Sequence, residues 1–185
     1  MKDRILNFLD VETTGFQREF AQIIEVAVIK VKNDQVIDTF ETFLRPERPP
    51  HYFVQKLTGI RPAMLEHAPE FKEIAEELHG YLHDGTLVAH HAQFDVGFLR
   101  KEFARQDMNI KFPFACTRRL SSLLYPEHRK HSLDSIIRRY EININIKDRH
   151  RAMGDTEAMY EFFKFAQATI QSDIFDRALQ STICS

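Results

Sequence analysis

Two acidic residues stand at the end of an apolar run near the start of the chain. The run from Ile5 to Glu12 is apolar on both alternating sets of side chains until it reaches Asp10, which is typical of a central strand buried on both faces. Asp10 and Glu12 are two residues apart, so they point to the face of Leu6 and Phe8, with Cα atoms about 6.6 Å apart. The sequence therefore predicts two neighbouring carboxylates at the end of a buried strand.

Two further acids take inward positions on predicted helices. Asp95 precedes Leu99 by four residues, and Asp155 precedes Met159 and Phe162 by four and seven residues. These spacings place each acid on the apolar side of its helix. The alternative for each is a capping role at the start of its helix, where an acid is also favoured. The strand pair has no such capping alternative.

Four carboxylates close together point to bound cations. Buried carboxylates repel one another and are costly to ionise unless a cation offsets the charge. A set of oxygen ligands without a thiolate favours Mg²⁺ or Mn²⁺ over zinc. The two cysteines, Cys116 and Cys184, have no Cys-x-x-Cys spacing, and we predict that both are free thiols.

Length and composition fit one globular domain over residues 1–185. The chain is 43% hydrophobic and 28% charged, which excludes disordered and fibrous classes. No apolar run reaches the roughly 18 residues of a membrane span, and the first residues lead into a strand rather than a signal peptide. We therefore expect a soluble, cytoplasmic protein with no membrane partner.

The order of the predicted elements indicates an α/β fold. Strands come first and helices alternate afterwards, a pattern that favours a mixed sheet covered by helices on both sides. The predicted strands are Ile5–Glu12, Ile23–Val31, Val36–Leu44, Thr86–His90 and Phe114–Cys116, and the predicted helices are Phe53–Thr58, Pro69–His83, Phe94–Gln106, Arg118–Leu124, Leu133–Tyr140, Asp155–Ala168 and a weaker C-terminal one.

The net charge of −2 conceals a basic segment. Residues 100–151 carry thirteen Lys and Arg against six Asp and Glu, whereas residues 1–99 carry ten against sixteen. The segment is either a phosphate-binding face or a set of solvated helix faces. Its candidate members are Arg118, Arg119, Arg129, Lys130, Arg138, Arg139, Lys147, Arg149 and Arg151.

Three stretches of the sequence resemble the exonuclease motifs of the DEDDh family. They are Phe8-Leu-Asp-Val-Glu-Thr-Thr-Gly15, His90-His-Ala-Gln-Phe-Asp-Val-Gly-Phe-Leu99 and His150-Arg-Ala-Met-Gly-Asp155. Within that family, the motifs resemble those of the proofreading epsilon subunits of bacterial replicative DNA polymerases and of related stand-alone 3′–5′ exonucleases. The resemblance runs from about Ile5 to Phe165, and it implies a ribonuclease-H-like three-layer fold with a five-stranded mixed sheet.

The resemblance also implies the roles of the acidic residues. Asp10, Glu12, Asp95 and Asp155 would bind two divalent ions, Mg²⁺ or Mn²⁺, and His150 would be the general base. An imidazole suits that role because it titrates near neutrality. The alternative for His150, taken without the motif, is a surface histidine in an arginine-rich loop.

Five further positions would contact the substrate. His91 departs from the asparagine that is usual in the second motif, although a histidine there can still donate a hydrogen bond to a phosphate. The residues implied are Thr13, Thr14, Leu57, His90 and His91.

The implied activity is removal of nucleoside 5′-monophosphates from the 3′ end of single-stranded or frayed DNA, in proofreading or repair. A DNA polymerase subunit is a possible partner. The second interpretation is an RNA-trimming enzyme similar to ribonuclease T, which has the same four acids and histidine. The third is a non-catalytic polymerase-binding module, which we disfavour because all five active-site positions are filled.

Overall fold

The computed structural model describes residues 4–144 and 149–184. Within these residues, five strands form one mixed sheet and eight helices surround it. The strands are β1 (Ile5–Thr13), β2 (Ile23–Lys32), β3 (Gln35–Phe43), β4 (Thr86–Ala89) and β5 (Phe114–Cys116). The helices are α1 (Tyr52–Thr58), α2 (Pro62–Leu65), α3 (Phe71–Leu82), α4 (Gln93–Ala104), α5 (Thr117–Leu124), α6 (Leu133–Arg139), α7 (Ala152–Thr169) and α8 (Ser172–Thr182).

Strand β1 is the centre of the sheet. The strand order is β3-β2-β1-β4-β5; β1 pairs antiparallel with β2 and parallel with β4. Asn33 and Asp34 both have positive φ (51° and 64°) and join β2 to β3, as a tight hairpin turn requires. This arrangement confirms the predicted mixed sheet.

The two faces of β1 are covered by different helices. Leu9 and Val11 belong to a buried cluster with residues of α3 and α4. Leu6 and Phe8 belong to a second cluster with residues of α5, α6, α7 and α8. The ring of Phe8 lies 5.0 Å from that of Tyr160 in α7, centroid to centroid. Helices on both faces give the three layers that the sequence predicts, and they leave β1 buried on both sides.

One predicted boundary is wrong by more than two residues. Helix α7 begins at Ala152 rather than at Asp155, so Asp155 lies in its first turn instead of opening it. The sequence pattern missed this turn because Ala152, Met153 and Gly154 carry no capping signal. The short helix α2 also went unpredicted, since its four residues are fewer than a periodic pattern needs.

Helices α1 and α2 pack beside the sheet over a small cluster of their own. This cluster contains Ile24, Val54, Ile60 and Leu65. Both cysteines are free, as predicted. Across residues 4–144 and 149–184, we find no helix with the length and apolarity needed to cross a lipid bilayer.

Candidate active site

Three carboxylates converge where β1 meets the first turn of α7. Asp10 and Glu12 share a face of β1 with Phe8, which packs against α7. Asp155 lies in the first turn of that helix and is 9% exposed. One ligand atom from each of Asp10, Glu12 and Asp155 lies within 4.8 Å of the other two. Packing of the apolar faces therefore brings together acids that are about 145 positions apart in sequence.

Asp95 approaches the same place from the other side of the sheet. It lies in the first turn of α4 and is only 2% exposed. Its Oδ1 accepts a hydrogen bond from the backbone N–H of Val11 (3.3 Å), the residue between Asp10 and Glu12. Burial raises the pKa of Asp95 to about 7. The fourth predicted acid is thus held against the strand that carries the first two.

Burial and mutual repulsion make this cluster hard to ionise. Burial, followed by the charges of Asp95 and Glu12, raises the pKa of Asp10 well above its ordinary value. Burial, followed by the charge of Glu25 and then that of Asp95, raises the pKa of Glu12 to about 8. A divalent cation offsets such charge, and carboxylate oxygens are the ligands that Mg²⁺ and Mn²⁺ take. The donor set therefore fits the predicted ions.

Arg149 supplies positive charge beside the acids. Its guanidinium contacts the Asp155 carboxylate, and its Nη2 lies 2.5 Å from Oδ1 of Asp134. The guanidinium lowers the pKa of both Asp10 and Glu12, against the larger effect of burial. From the sequence, Arg149 is predicted only as one member of the basic segment. Nothing in the local pattern shows that its side chain contacts the acidic cluster.

His150 lies next to the carboxylates in a strained backbone conformation. Its φ is +61°, in the left-handed region, where histidine is among the better-tolerated side chains. Its backbone N–H donates to Oδ1 of Asp155 (3.3 Å). The residue is half-buried, and burial, followed by the charge of Arg149, lowers the pKa of its imidazole. Both effects favour the neutral imidazole, the form that accepts a proton.

His90 and His91 occupy very different surroundings. The Nδ1 of His90 is 3.0 Å from Oγ1 of Thr117, and its Nε2 is 2.9 Å from the carbonyl oxygen of His131. Burial lowers the pKa of His90 to about 4. Both ring nitrogens of His90 thus have partners within the protein. His91 is exposed with φ +77°.

The two predicted threonines close the loop that follows β1. Oγ1 of Thr13 donates to the carbonyl of Gly15 (2.7 Å), and Oγ1 of Thr14 accepts from the backbone N–H of Gln22 (3.0 Å). The carbonyl of Thr14 accepts from the N–H of His51 (2.9 Å). These bonds fix the position of the loop relative to α1.

The surface beside this loop contains exposed apolar side chains. Leu57 is 40% exposed on α1. Phe16 and Phe53 are 66% and 55% exposed, and their ring centroids are 6.2 Å apart. Sequence reasoning missed these two phenylalanines, although a large aromatic residue directly after Thr-Thr-Gly was a signal that could have been used. Together, Phe16, Phe53 and Leu57 form what we term the apolar platform.

A lysine and an arginine attach the loop to α4. Nζ of Lys101 donates to the backbone carbonyls of Arg18 (2.7 Å), Glu19 (3.1 Å) and Ala21 (2.7 Å). Nη2 of Arg18 donates to the carbonyl of Gln93 (2.9 Å). The side chain of Arg18 also fills the space where a Cβ on Gly97 would stand. The loop after β1 is therefore anchored to the helix that carries Asp95.

The basic segment divides between engaged and exposed residues. Arg151 forms a salt bridge with Glu25, and Arg149 contacts Asp134 and Asp155. The side chains of these two arginines are partly buried, at 12% exposure for Arg149 and 29% for Arg151. Lys147 lies outside the described residues. The exposed members are Arg118, Arg119, Arg129, Lys130 and Arg138.

Comparison with protein families decides the membership of this chain. The RNase_T family model, described as "Exonuclease", matches residues 8–163. The chain belongs to this exonuclease family. The match spans the segments that carry all four acids and His150. It confirms the predicted membership among DEDDh 3′–5′ exonucleases.

Bacterial DNA polymerase III proteins of the PolC type are among the relatives of this exonuclease chain. It is 39% identical over 150 residues to a DNA polymerase III PolC-type from Halalkalibacterium halodurans, and 38% identical over 151 residues to that of Bacillus subtilis. Each match covers 80% of this chain and 10% of the relative. The chain therefore spans about a tenth of the length of the curated relatives it matches.

Solved structures of exonucleases share the fold. Exonuclease X, in complex with 5′ overhanging duplex DNA, has a TM-score of 0.72 at 21% identity, covering 94% of this chain and 99% of that one. Exonuclease I has a TM-score of 0.81 at 19% identity, covering 94% and 43%. The nuclease domain of 3′hExo, a DEDDh family member bound to rAMP, has a TM-score of 0.77 at 17% identity, covering 90% and 94%. These likenesses confirm the ribonuclease-H-like fold.

The charge cluster predicts how stability depends on pH in metal-free protein. A carboxyl whose pKa is raised by folding binds its proton more tightly in the folded chain. Stability is therefore lost as pH rises from the unfolded value toward the folded one, about 8 for Glu12. In the presence of EDTA, we expect Asp10→Asn to melt several degrees higher than the wild type at pH 8, with a smaller difference at pH 5. About 1 kcal/mol corresponds to roughly 2–4 °C for a chain of this size.

Thermal unfolding at both pH values measures this difference. Asp176→Asn, which removes an exposed acid from α8, serves as the control. If Asp10→Asn lost as much stability as the wild type between pH 5 and pH 8, mutual repulsion of the carboxylates would not be the cause.

Proposed function

We propose that this chain hydrolyses phosphodiester bonds from the 3′ end of single-stranded or frayed DNA and releases nucleoside 5′-monophosphates. The observation that carries the proposal is the convergence of carboxylates from β1, α4 and α7 beside His150. Asp10, Glu12, Asp95 and Asp155 would hold two divalent ions, Mg²⁺ or Mn²⁺. Bound divalent ions stabilise the negative charge that develops on the attacking and leaving oxygens of such a displacement.

His150 is the proposed general base. It would accept a proton from the water that attacks the phosphorus atom, and its neutral form at pH 7 is favoured by burial and by the neighbouring Arg149. Its N–H bond to Asp155 ties its backbone to the carboxylate cluster. A base attached in this way keeps its imidazole near the reacting phosphate, and that proximity is a large part of general-base catalysis.

The apolar platform is the proposed binding surface for the terminal nucleotides. Every base has a π-face, so exposed Phe16 and Phe53 can stack bases irrespective of sequence. Leu57 lies on the same helix as Phe53 and would pack against the terminal base. Stacking of this kind needs unpaired bases, which supports single-stranded or frayed ends as substrates.

The remaining predicted contacts form the edge of the same site. We propose that backbone groups and hydroxyls of Thr13 and Thr14 meet the terminal nucleotide, and that exposed His91 donates to a phosphate. The left-handed conformation of His91 suits asparagine or histidine, which accounts for the exchange of one for the other at this position. His90 would position this turn through Thr117 and the carbonyl of His131.

DNA is the favoured substrate, and replication or repair is the favoured context. The most similar relatives cited above are DNA polymerase III proteins of the PolC type. We propose that residues 1–185 form a single exonuclease domain that works in the cytoplasm, with a DNA polymerase subunit as its partner. An RNA substrate remains the alternative outcome of the experiment below.

Digestion of matched oligonucleotides tests the activity. We expect release of 5′-monophosphates from the 3′ end of single-stranded DNA with Mg²⁺ or Mn²⁺, no release with EDTA, and no release by Asp155→Asn, which removes one carboxylate of the cluster. DNA and RNA oligomers of one sequence, single-stranded and duplex, blocked at either end, are compared in parallel. Faster digestion of RNA than of DNA would show that RNA is the substrate. Digestion by Asp155→Asn at the wild-type rate would show that the acidic cluster is not the catalytic site.

Substitution of His150 tests the base. His150→Ala should lower kcat by roughly 10²–10⁴-fold, the usual contribution of general-base catalysis. KM should change little, because the apolar platform is untouched. Steady-state kinetics on single-stranded DNA measure both constants, with His128→Ala in the α5–α6 connection as the control. An unchanged kcat would remove His150 from the reaction.

Substitution of Phe53 tests the platform. Loss of one stacked base costs about 1–3 kcal/mol, so Phe53→Ala should raise KM for a single-stranded oligonucleotide roughly tenfold. The p-nitrophenyl ester of thymidine 5′-monophosphate, which has no second nucleotide, should be hydrolysed with kcat little changed. Ile174→Ala, an exposed apolar residue of α8, is the control. An unaltered KM for the oligonucleotide would show that bases do not stack on Phe53.

A further inference from the structure

Glu25 is a buried acid that lies directly opposite the metal-binding strand. It is only 1% exposed, lies near the start of β2, and pairs in register with Glu12 of β1. Antiparallel partners share a face of the sheet, so Glu25 faces the same side as the carboxylate cluster. Its position inside the apolar run from Ile23 to Val31 is the same sequence signal that singled out Asp10.

The carboxylate of Glu25 is saturated by donors from one short segment. Its Oε1 accepts from Nε (2.9 Å) and Nη2 (2.6 Å) of Arg151, and its Oε2 accepts from the backbone N–H of Ala152 (2.9 Å). The guanidinium carbon of Arg151 also lies 4.9 Å from the centroid of the Phe43 ring. Since these donors occupy Glu25, it is not available as a fifth metal ligand.

The segment held in this way carries the reacting groups. Arg151 directly follows His150, whose backbone is strained, and it precedes α7, whose first turn contains Asp155. The N–H of Asp155 donates to the carbonyl of Arg151 (3.0 Å). One arginine thus joins the general base, the first turn of α7 and strand β2.

A stabilising role alone does not explain an ion pair whose carboxylate is fully buried and whose arginine is partly buried. Desolvation of two charges offsets most of their attraction, and apolar replacements are often as stable. An arginine that donates two hydrogen bonds to one carboxylate does fix the relative orientation of the two side chains, because both planar groups must lie in one plane. The left-handed backbone conformation of His150 persists only if the surrounding structure stabilises it. Glu25 contributes by binding the next residue, Arg151, to strand β2.

We propose that Glu25 and Arg151 are a positioning pair that holds His150 and the first turn of α7 in register with Asp10 and Glu12. This role rests on the proposed exonuclease function. Glu25 acts through Arg151 and touches neither substrate nor ion. Loss of the pair should therefore lower the rate of the chemical step while leaving the apolar platform, and hence substrate binding, unchanged.

Glu25→Gln is the primary test. Glutamine keeps the shape and an oxygen acceptor for Ala152, but its amide removes the charge that pairs with Arg151. We expect kcat to fall about 10²-fold, the effect of a displacement of about 1 Å in a catalytic group, with KM for single-stranded DNA within about threefold of the wild type. The small thymidine ester should show the same loss of kcat.

Glu102→Gln is the matched control. Glu102 is also buried, at 2% exposure, and lies beside an arginine, Arg105, but it is two turns along α4 from Asp95. The Glu102→Gln variant therefore measures the general effect of removing a buried glutamate charge, and we expect the kcat of this variant to equal that of the wild type. Melting temperatures of all variants are measured, with kinetics run well below them.

Should Glu25→Gln not fold, Glu25→Asp keeps the charge at a shorter reach, and an unchanged kcat in that variant would overturn the proposal.

A double-mutant cycle with Arg151→Met separates positioning from a direct charge effect. If Glu25 acts through Arg151, Glu25→Gln should change kcat by less than about threefold in the Arg151→Met background. An equal loss in both backgrounds would overturn the proposal, as would an unchanged kcat for Glu25→Gln alone. A wild-type chain without exonuclease activity would instead refute the proposed function.

Discussion

The concentration of negative charge at the end of β1 is the constraint on which the rest of the structure depends. Carboxylates from three elements lie together in a largely buried place, where burial raises the pKa of Asp10, Glu12 and Asp95. Apolar packing on both faces of β1 supplies the stability that brings them together, since Phe8 and Leu9 are fully buried. The acids reduce that stability until cations offset their charge.

Cations of the chain itself surround this cluster at fixed positions. Arg149 contacts Asp155, and Arg151 neutralises Glu25 directly across from Glu12. Lys101 performs a similar task for backbone dipoles, because its ammonium group binds three carbonyls of the loop after β1. Each of these contacts locates a segment that carries functional residues, so electrostatics and positioning are provided by the same side chains.

Much of this structure could be predicted from the sequence. Strand β1 and its two acids follow from local patterns, as do the strands on either side of the turn at Asn33 and Asp34, and the motifs identify the family. Long-range contacts could not be predicted, because local spacing says nothing about them. Arg149 and Arg151 resemble surface charges in sequence, and only the meeting of β2 with the start of α7 shows that Arg151 pairs with Glu25.

Proton release on ion binding tests the central role of this charge cluster most directly. Carboxyls with raised pKa values bind protons in metal-free protein and lose them when a cation binds. Calorimetric titration with Mn²⁺ in two buffers of different ionisation enthalpy measures the number released. We expect release of about one proton or more at pH 7, declining as pH rises above the value of about 8 for Glu12. Heats that do not depend on the buffer at pH 7 would contradict this view of the site.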